Sequence, residues 1–424
     1  MKTLDIESSS HKLSNGLEVV LHKDSSVPVV AVNIWYKVGA ANDKVGKTGY
    51  AHLFEHLMFQ GSQNIPKEAH FRYIQEAGGS ANGSTSRDRT NYYESLPSNQ
   101  LELALWLESD RMGFLLEALS EEKLENQKSV VINERLEHYD NQPYGLVGEK
   151  LNSLLFPFGH PHHFPVIGYL DDIKKFSLED AKRYFKNYYS PTNAILTVAG
   201  DIDYDNALNL IQNYFGDINN EMGIAEENFA SLPKLEDYKY LEHFDKVNVP
   251  QIYFGWRTNK LFHEDEVDLH TLAFILSGNK NSLLTKKLVY DTQLCQRVSA
   301  QNDLSKYDGS FLISATPKNI NDIEQIKKNI FEIIENLISS NGTLDKEIAT
   351  AVNNFKFQFV HSIEKISTRA DLLSSYKYYV DEPNWFLQDY ERFNKVTTES
   401  VKRIAKKYLN KNFVELRVLP KNDK

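Results

Sequence analysis

Two histidines and a glutamate share the stretch Gly49-Tyr50-Ala51-His52-Leu53-Phe54-Glu55-His56-Leu57-Met58-Phe59. On a helix, residues i and i+4 project from one face about 5.4 Å apart along the axis, so both imidazoles can reach one point. Glu55 borders the same space. Neutral imidazole suits Zn²⁺, and a catalytic zinc site keeps three protein ligands with the fourth position open to water. Bound to the metal, that water's pKa falls from about 15.7 to about 7, and a carboxylate such as Glu55 can take its proton as it attacks a carbonyl. The chemistry is metal-assisted hydrolysis. An H-x-x-E-H order arises by chance in roughly a few per cent of chains of this length, from average residue usage. The plain alternative is a surface helix with two solvated histidines, but Leu53, Phe54, Leu57 and Phe59 make the segment heavily apolar.

A third ligand must come from elsewhere. Glu134, Glu137 and His138 share one helix face by their i, i+3, i+4 spacing. Spacing does not choose among them, and each also suits an ordinary exposed position. His263 and His270, among Glu264, Asp265, Glu266 and Asp268, read as a solvated acidic helix start. The single cysteine, Cys295, excludes a disulfide framework and a thiolate metal site, and reads as a small buried hydrophobe.

The elements that must position these groups follow from patterning. Leu17 to Leu21 and Val29 to Lys37 read as an opening pair of strands after the turn Ser14-Asn15-Gly16. A helix is expected from about Thr48 to Phe59, then a glycine-punctuated extended region from Gly78 to Leu96. Helices follow from about Gln100 to Leu116 and Glu121 to Asp140. A loop rich in Pro and His (Phe156 to Pro165) leads to a helix near Leu178 to Tyr188 and an apolar strand, Ala194 to Ala199. Between Asp217 and Tyr240 the periodicity fades. Beyond it the order of elements partly repeats: strand Val249 to Trp256, helix Val267 to Leu276, strands around Val298 and Phe311 to Ser314, helices from Asp322 and Asp345, and a last strand near Val414 to Leu419. A duplicated α+β module fits better than repeated βαβ units. The expected division is 1–217, a linker at 218–240, and 241–424.

At 424 residues the chain is long enough for two cores. Its 41% apolar and 25% charged residues are those of an ordinary folded protein, and the net charge of −10 argues against a general nucleic-acid binder. The N-terminal residues carry no apolar signal region, and no later segment approaches 18 uncharged apolar residues. As given, the sequence reads as soluble and cytoplasmic, and a periplasmic place would require a leader removed ahead of it.

Taken in order, several motifs resemble the pitrilysin/insulinase family of zinc peptidases, in particular its half-length, processing-peptidase-like members. They are Gly39-Ala40, His52 to Gly61, Gly78-Gly79-Ser80-Ala81-Asn82-Gly83, Thr90-Asn91-Tyr92-Tyr93, Val130 to Arg135 and Tyr189-Ser190-Pro191-Thr192-Asn193. The resemblance implies two homologous domains, each a mixed or antiparallel sheet packed with helices, together forming half of a clamshell. It implies Zn²⁺ held by His52, His56 and Glu134, with Glu55 as base. It implies an edge strand near Gly79, Ser80, Ala81 and Asn82 that pairs with an extended peptide, although Gly78 and Gly79 also suit a turn. Gln127 stands where many relatives place a supporting glutamate and would tune the site by a hydrogen bond. The loop with His160, His162 and His163 is expected to shape the chamber. Relatives commonly supply an Arg and a Tyr that contact the substrate carbonyl. Here Val289 and Gln296 occupy those positions. The chain is therefore expected to be the metal-bearing subunit of a heterodimer whose half-length partner supplies them, or a homodimer in which Arg297 acts instead. A non-catalytic scaffold or peptide-binding subunit of the same fold is the alternative.

Overall fold

In the computed structural model, residues 6–219, 229 and 232–421 are described. The apolar runs seen in the sequence form the centre of each sheet. β1 (Ser9–Lys12), β2 (Glu18–Lys23), β3 (Val29–Tyr36), β4 (Ser80–Thr85), β5 (Thr90–Pro97) and β6 (Ala194–Gly200) make one six-stranded sheet in the order β1-β2-β6-β3-β5-β4. β6 is buried at every position, as its place in the middle requires. It runs parallel to β2 and antiparallel to β3, so β2 and β3 are separated rather than paired as the sequence suggested. Length explains the difference: β6 comes more than a hundred residues later, beyond the reach of local patterning. β1, Ser9-Ser10-His11-Lys12, has no apolar signal and was not anticipated.

β7 (Lys239–Asp245), β8 (Gln251–Thr258), β9 (Cys295–Leu304), β10 (Gly309–Pro317) and β11 (Val414–Pro420) make the second sheet, ordered β7-β11-β8-β10-β9. β7 and β11 are parallel and the remaining neighbours antiparallel. This repeats the pattern of β2, β6, β3, β5 and β4, so the duplication expected from element order is present as topology. β4 and β9 are equivalent edge strands.

The expected linker, 218–240, overlaps β7 at its end, and its residues 220–228 and 230–231 lie outside the described residues. Neither compact unit is one continuous stretch of chain. One gathers the chain up to Arg135, the stretch beginning at Phe164, and Val360–Leu387. The other gathers Leu136–His163, the stretch ending at Phe359, and Gln388–Lys424. The reason is packing. The helix Ile366–Val380 lays Ala370 against Ala31 and Ala199 of the first sheet, and Asp371 accepts hydrogen bonds from Asn33 (3.1 Å) and Trp35 (3.0 Å). Leu151, Leu155 and Phe156 bury against Val414, Leu416 and Val418 of the second.

The first unit carries four helices that matter for the site: α1 (Tyr50–Leu57), α2 (Ala69–Glu76), α3 (Leu101–Ala118) and α4 (Glu121–Arg135). In the second unit the acidic start around Asp265 is not solvated. Asp265 is fully buried and bonded by Arg403, Lys407 and Tyr408, and Glu266 pairs with Arg392. His160 and His162 are also buried, His160 beside Asp308 at 3.1 Å and His162 on Ser305. They are core groups rather than the chamber wall expected of them. Cys295 is fully buried, and burial pushes its thiol up to about 12.

Candidate metal centre

α1 is two-faced. Tyr50, Leu53, Phe54 and Leu57 fall at i, i+3, i+4 and i+7 and are buried, which leaves His52, Glu55 and His56 half-buried on the other side. Asp43 fixes the helix start, its side-chain oxygens accepting from the Gly49 (2.8 Å) and Ala51 (3.1 Å) amides, donors that no helical carbonyl can satisfy.

α4 brings in the third group. Glu134 Oε1 lies 3.7 Å from His52 Nε2, and Glu134 Oε2 lies 3.4 Å from His56 Nε2. The three ligand-type atoms fall within 4.8 Å of one another, whereas Glu137 and His138 do not join the cluster. Tetrahedral donors about 2.0–2.1 Å from a zinc ion stand about 3.4 Å apart, so the set fits that ion with small adjustment. Its electrostatics fit as well. Burial, followed by the neighbouring His56, holds the His52 imidazole down to about 4, in the neutral form that ligates. His52 Nε2 faces Glu134, while its Nδ1 is buried with no hydrogen-bond partner among the described residues.

The two ligand-bearing helices are tied through one loop. Gly49 and Gly168 both adopt positive φ (+84° and +76°) and lie back to back, such that a Cβ on Gly168 would stand 2.4 Å from Gly49 Cα and from the Thr48 carbonyl oxygen. Arg135, ending α4, donates to the Gly168 carbonyl at 2.6 Å. Thr48 donates its hydroxyl to Asp172 (2.7 Å) and accepts from the Tyr169 amide (3.0 Å).

Glu55 faces β4, and Thr85 donates its hydroxyl to the Glu55 carboxylate at 2.6 Å. Burial raises the Glu55 carboxyl, against the lowering effects of the Thr85 bond and His56. Gly83 makes room for it, since a Cβ there would lie 3.0 Å from Glu55 Oε1. These groups line a cleft of about 540 Å³ with Phe59, Phe71, Asn82 and Gln127. β4 is bonded only to β5, so its other edge is unpaired within the sheet. Of the strand residues singled out from sequence, Asn82 lines the cleft. Ser80 and Ala81 lie farther along β4, and Gly79 is pressed on β5, where a Cβ would meet the Ser95 carbonyl oxygen at 2.7 Å. Gly78, at φ +81°, ends α2. Thr85, Asp43 and Gly168 were not singled out, and Gly83 was named only as the end of a motif, with no role at the site. A signal for Thr85 existed in the strand alternation that also brings Gly83 to this side, but nothing local marks Gly168 as the partner of Gly49.

A second set of ligand-type side chains, His70, Glu94 and Glu108, is fully buried behind Phe59. It already holds a cation: the Arg111 guanidinium is bonded to Glu108, 3.9 Å from Glu94 and 4.1 Å from the centre of the Tyr92 ring. Burial, followed by the Glu108 charge, raises the Glu94 carboxyl strongly.

An H-x-x-E-H helix beside an edge strand, completed by a glutamate from a later helix, is the layout of an inverted zincin centre. The chain belongs to the insulinase family of peptidases, M16. Residues 18–160 match the model described as insulinase (peptidase family M16), and residues 175–355 match that of the peptidase M16 inactive domain. The zinc protease PqqE of Helicobacter pylori is 29% identical over 404 residues, 93% of this chain and 89% of that protein. A Bacillus subtilis protein described as the uncharacterized zinc protease YmxG is 22% identical, covering 96% of this chain and 97% of its own length. A solved protease structure from Helicobacter pylori superimposes with a TM-score of 0.89 at 27% identity, covering 98% of this chain and 99% of that one. A Pseudomonas fluorescens structure described as a peptidase M16 inactive domain shares the fold, with a TM-score of 0.86 at 16% identity over 98% of each chain.

Proposed function

We propose that this chain is a zinc metalloendopeptidase that hydrolyses peptides or unfolded segments, and that it is the metal-bearing subunit of a heterodimer. The observation that carries the first part is the meeting of His52, His56 and Glu134 beside Glu55, on a cleft walled by an unpaired strand edge. Zn²⁺ held by these three residues would polarise the scissile carbonyl and acidify a water. The unpaired N–H and C=O groups of β4 would bond an extended peptide across the cleft, leaving side-chain pockets to choose the sequence. Glu55 would take the water's proton and deliver it to the leaving amine, with Thr85 holding its carboxylate in place. Gln127, buried at the cleft wall, would adjust the site by hydrogen bonding.

The heterodimer rests on what the second unit presents. Val289 packs against that unit's apolar core and Gln296 is exposed on β9. Neither can supply a cation or a phenol to a substrate oxyanion, a contribution of about 3–4 kcal/mol to a transition state. A half-length partner with Arg and Tyr at those positions would restore it, closing with this chain as two halves of a clamshell. In a homodimer Arg297, exposed on β9, is the available donor. The test is cleavage of a peptide library by the zinc-loaded chain, alone and with such a partner, beside Glu55→Gln. Zinc retained with cleavage lost in Glu55→Gln supports the peptidase. Undiminished cleavage refutes Glu55 as base, and silence with zinc bound and a partner present favours a non-catalytic, peptide-binding subunit.

A further inference from the structure

Three tyrosines, Tyr376, Tyr378 and Tyr379, stand near the end of the helix Ile366–Val380. Tyr376 packs edge-on to Phe386 at 5.0 Å. Tyr378 and Tyr379 do more. The Tyr379 hydroxyl donates to the Asp88 carboxylate at 3.0 Å, and the Tyr378 hydroxyl to the Asp88 carbonyl at 3.1 Å. Asp88 is buried in the turn that joins β4 to β5, where the Ser86 amide bonds the Arg89 carbonyl at 2.8 Å.

The same turn is gripped from its other side by backbone. The amides of Ala40 and Ala41 donate to the carbonyls of Ser86 (3.0 Å) and Arg87 (2.8 Å). Gly39 permits the approach, since a Cβ there would stand 2.6 Å from both carbonyl oxygens. Arg89 donates to the Ser84 carbonyl at 2.8 Å while lying 5.2 Å over the Trp35 ring, which Tyr378 and Tyr379 meet edge-on. An edge strand has a ladder on one side only, so its free end goes where its turn is held. The residue before this turn is Thr85, whose hydroxyl bonds Glu55.

We propose that Tyr378, Tyr379 and Asp88 form a positioning clamp. It fixes the end of β4, and so sets both the peptide-pairing edge and the Thr85 bond to Glu55. None of the three residues lines the cleft, so they act through β4. The clamp rests on the peptidase reading for its consequence and on hydrogen bonds alone for its existence.

The test is the double variant Tyr378→Phe/Tyr379→Phe, which keeps both rings against Trp35 and removes only the hydroxyls. Amide exchange over 80–86 should quicken about tenfold as two hydrogen bonds are lost, while exchange in α1 and α3 and the zinc content stay unchanged. In cleavage assays the KM for a peptide long enough to lie along β4 should rise about fivefold through weakened ground-state binding, and kcat should fall about threefold as the Thr85 bond to Glu55 loosens, less than when that hydroxyl is removed outright. Unchanged exchange over 80–86 overturns the clamp, as does quickened exchange throughout the first sheet with a matching fall in Tm, which would make the tyrosines general supports. If the wild-type chain cleaves nothing even with zinc and a partner, the peptidase reading fails, and the exchange measurement still decides the clamp.

Discussion

Gly168→Ala should loosen the joint between the two ligand-bearing helices. The new Cβ would lie 2.4 Å from Gly49 Cα, Gly49 N and the Thr48 carbonyl oxygen, where carbon contacts settle near 3.5–4.0 Å. About 1 Å must open between the loop and the start of α1. An L-residue at φ +76° costs about 1–2 kcal/mol, and overpacking of this kind about 1–3 kcal/mol, for a total near 2–5 kcal/mol. At about 2–4 °C per kcal/mol for a unit of this size, Tm should fall by at least about 4 °C. Arg135 donates to the Gly168 carbonyl, so the shift also reaches α4, and His52 and His56 move relative to Glu134. Because ligand positions matter to about 0.2 Å, zinc affinity should drop at least about tenfold. The control is Gly46→Ala. Gly46 has φ +80° with nothing within 4 Å of a Cβ, so it carries the backbone strain without the collision. Thermal melts and competition with a zinc-binding dye on both variants decide the matter. The reasoning is refuted if Gly168→Ala is no worse than Gly46→Ala in Tm and in zinc affinity.

Three further outcomes follow from single contacts. Thr85→Val removes a hydroxyl donor to a carboxylate, worth about 1.5–3 kcal/mol; kcat on a fluorogenic peptide should fall roughly tenfold or more with zinc content unchanged. Arg111→Met strands Glu94 and Glu108 without their cation and should cost about 3–5 kcal/mol in urea unfolding, and adding Glu94→Gln and Glu108→Gln should recover most of it. Burial alone would raise the Asp24 carboxyl, but hydrogen bonds from Ser26 and Arg369 outweigh it and hold it at about 2. Since this lies below its ordinary 3.8, its contribution to stability is present above about pH 4 and fades as pH falls toward 2. The stability gap between wild type and Asp24→Asn should close over that window in acid denaturation.

What the sequence made legible was whatever depends on neighbours along the chain. His52, Glu55 and His56 announce themselves because one helical turn brings them together, and the buried strands β3 and β6 because their apolar runs have no other use. Glu134 was different: its face was visible, but Glu137 and His138 shared it, and only the resemblance to relatives separated them. The strand order could not be read, since the insertion of β6 between β2 and β3 is a long-range pairing. The same holds for Asp88, whose partners Tyr378 and Tyr379 lie 290 and 291 residues away. The acidic run around Asp265 misled for a related reason, because charge in a sequence reads as solvation until Arg403 and Lys407 are seen folded onto it.

The helix Ile366–Val380 has a bearing on how the molecule is made. The first sheet's strands are all translated by Gly200, yet Ala31, Ala199, Asn33 and Trp35 wait for Ala370 and Asp371 to cover them. At about 5–20 residues per second, roughly 9–36 s of synthesis pass between Gly200 and the completion of that helix. During this time the nascent chain carries an uncovered β-surface, of the kind that chaperones bind and that aggregates form on. The half of the molecule that carries the candidate metal centre is thus the first to be synthesised and among the last to be finished.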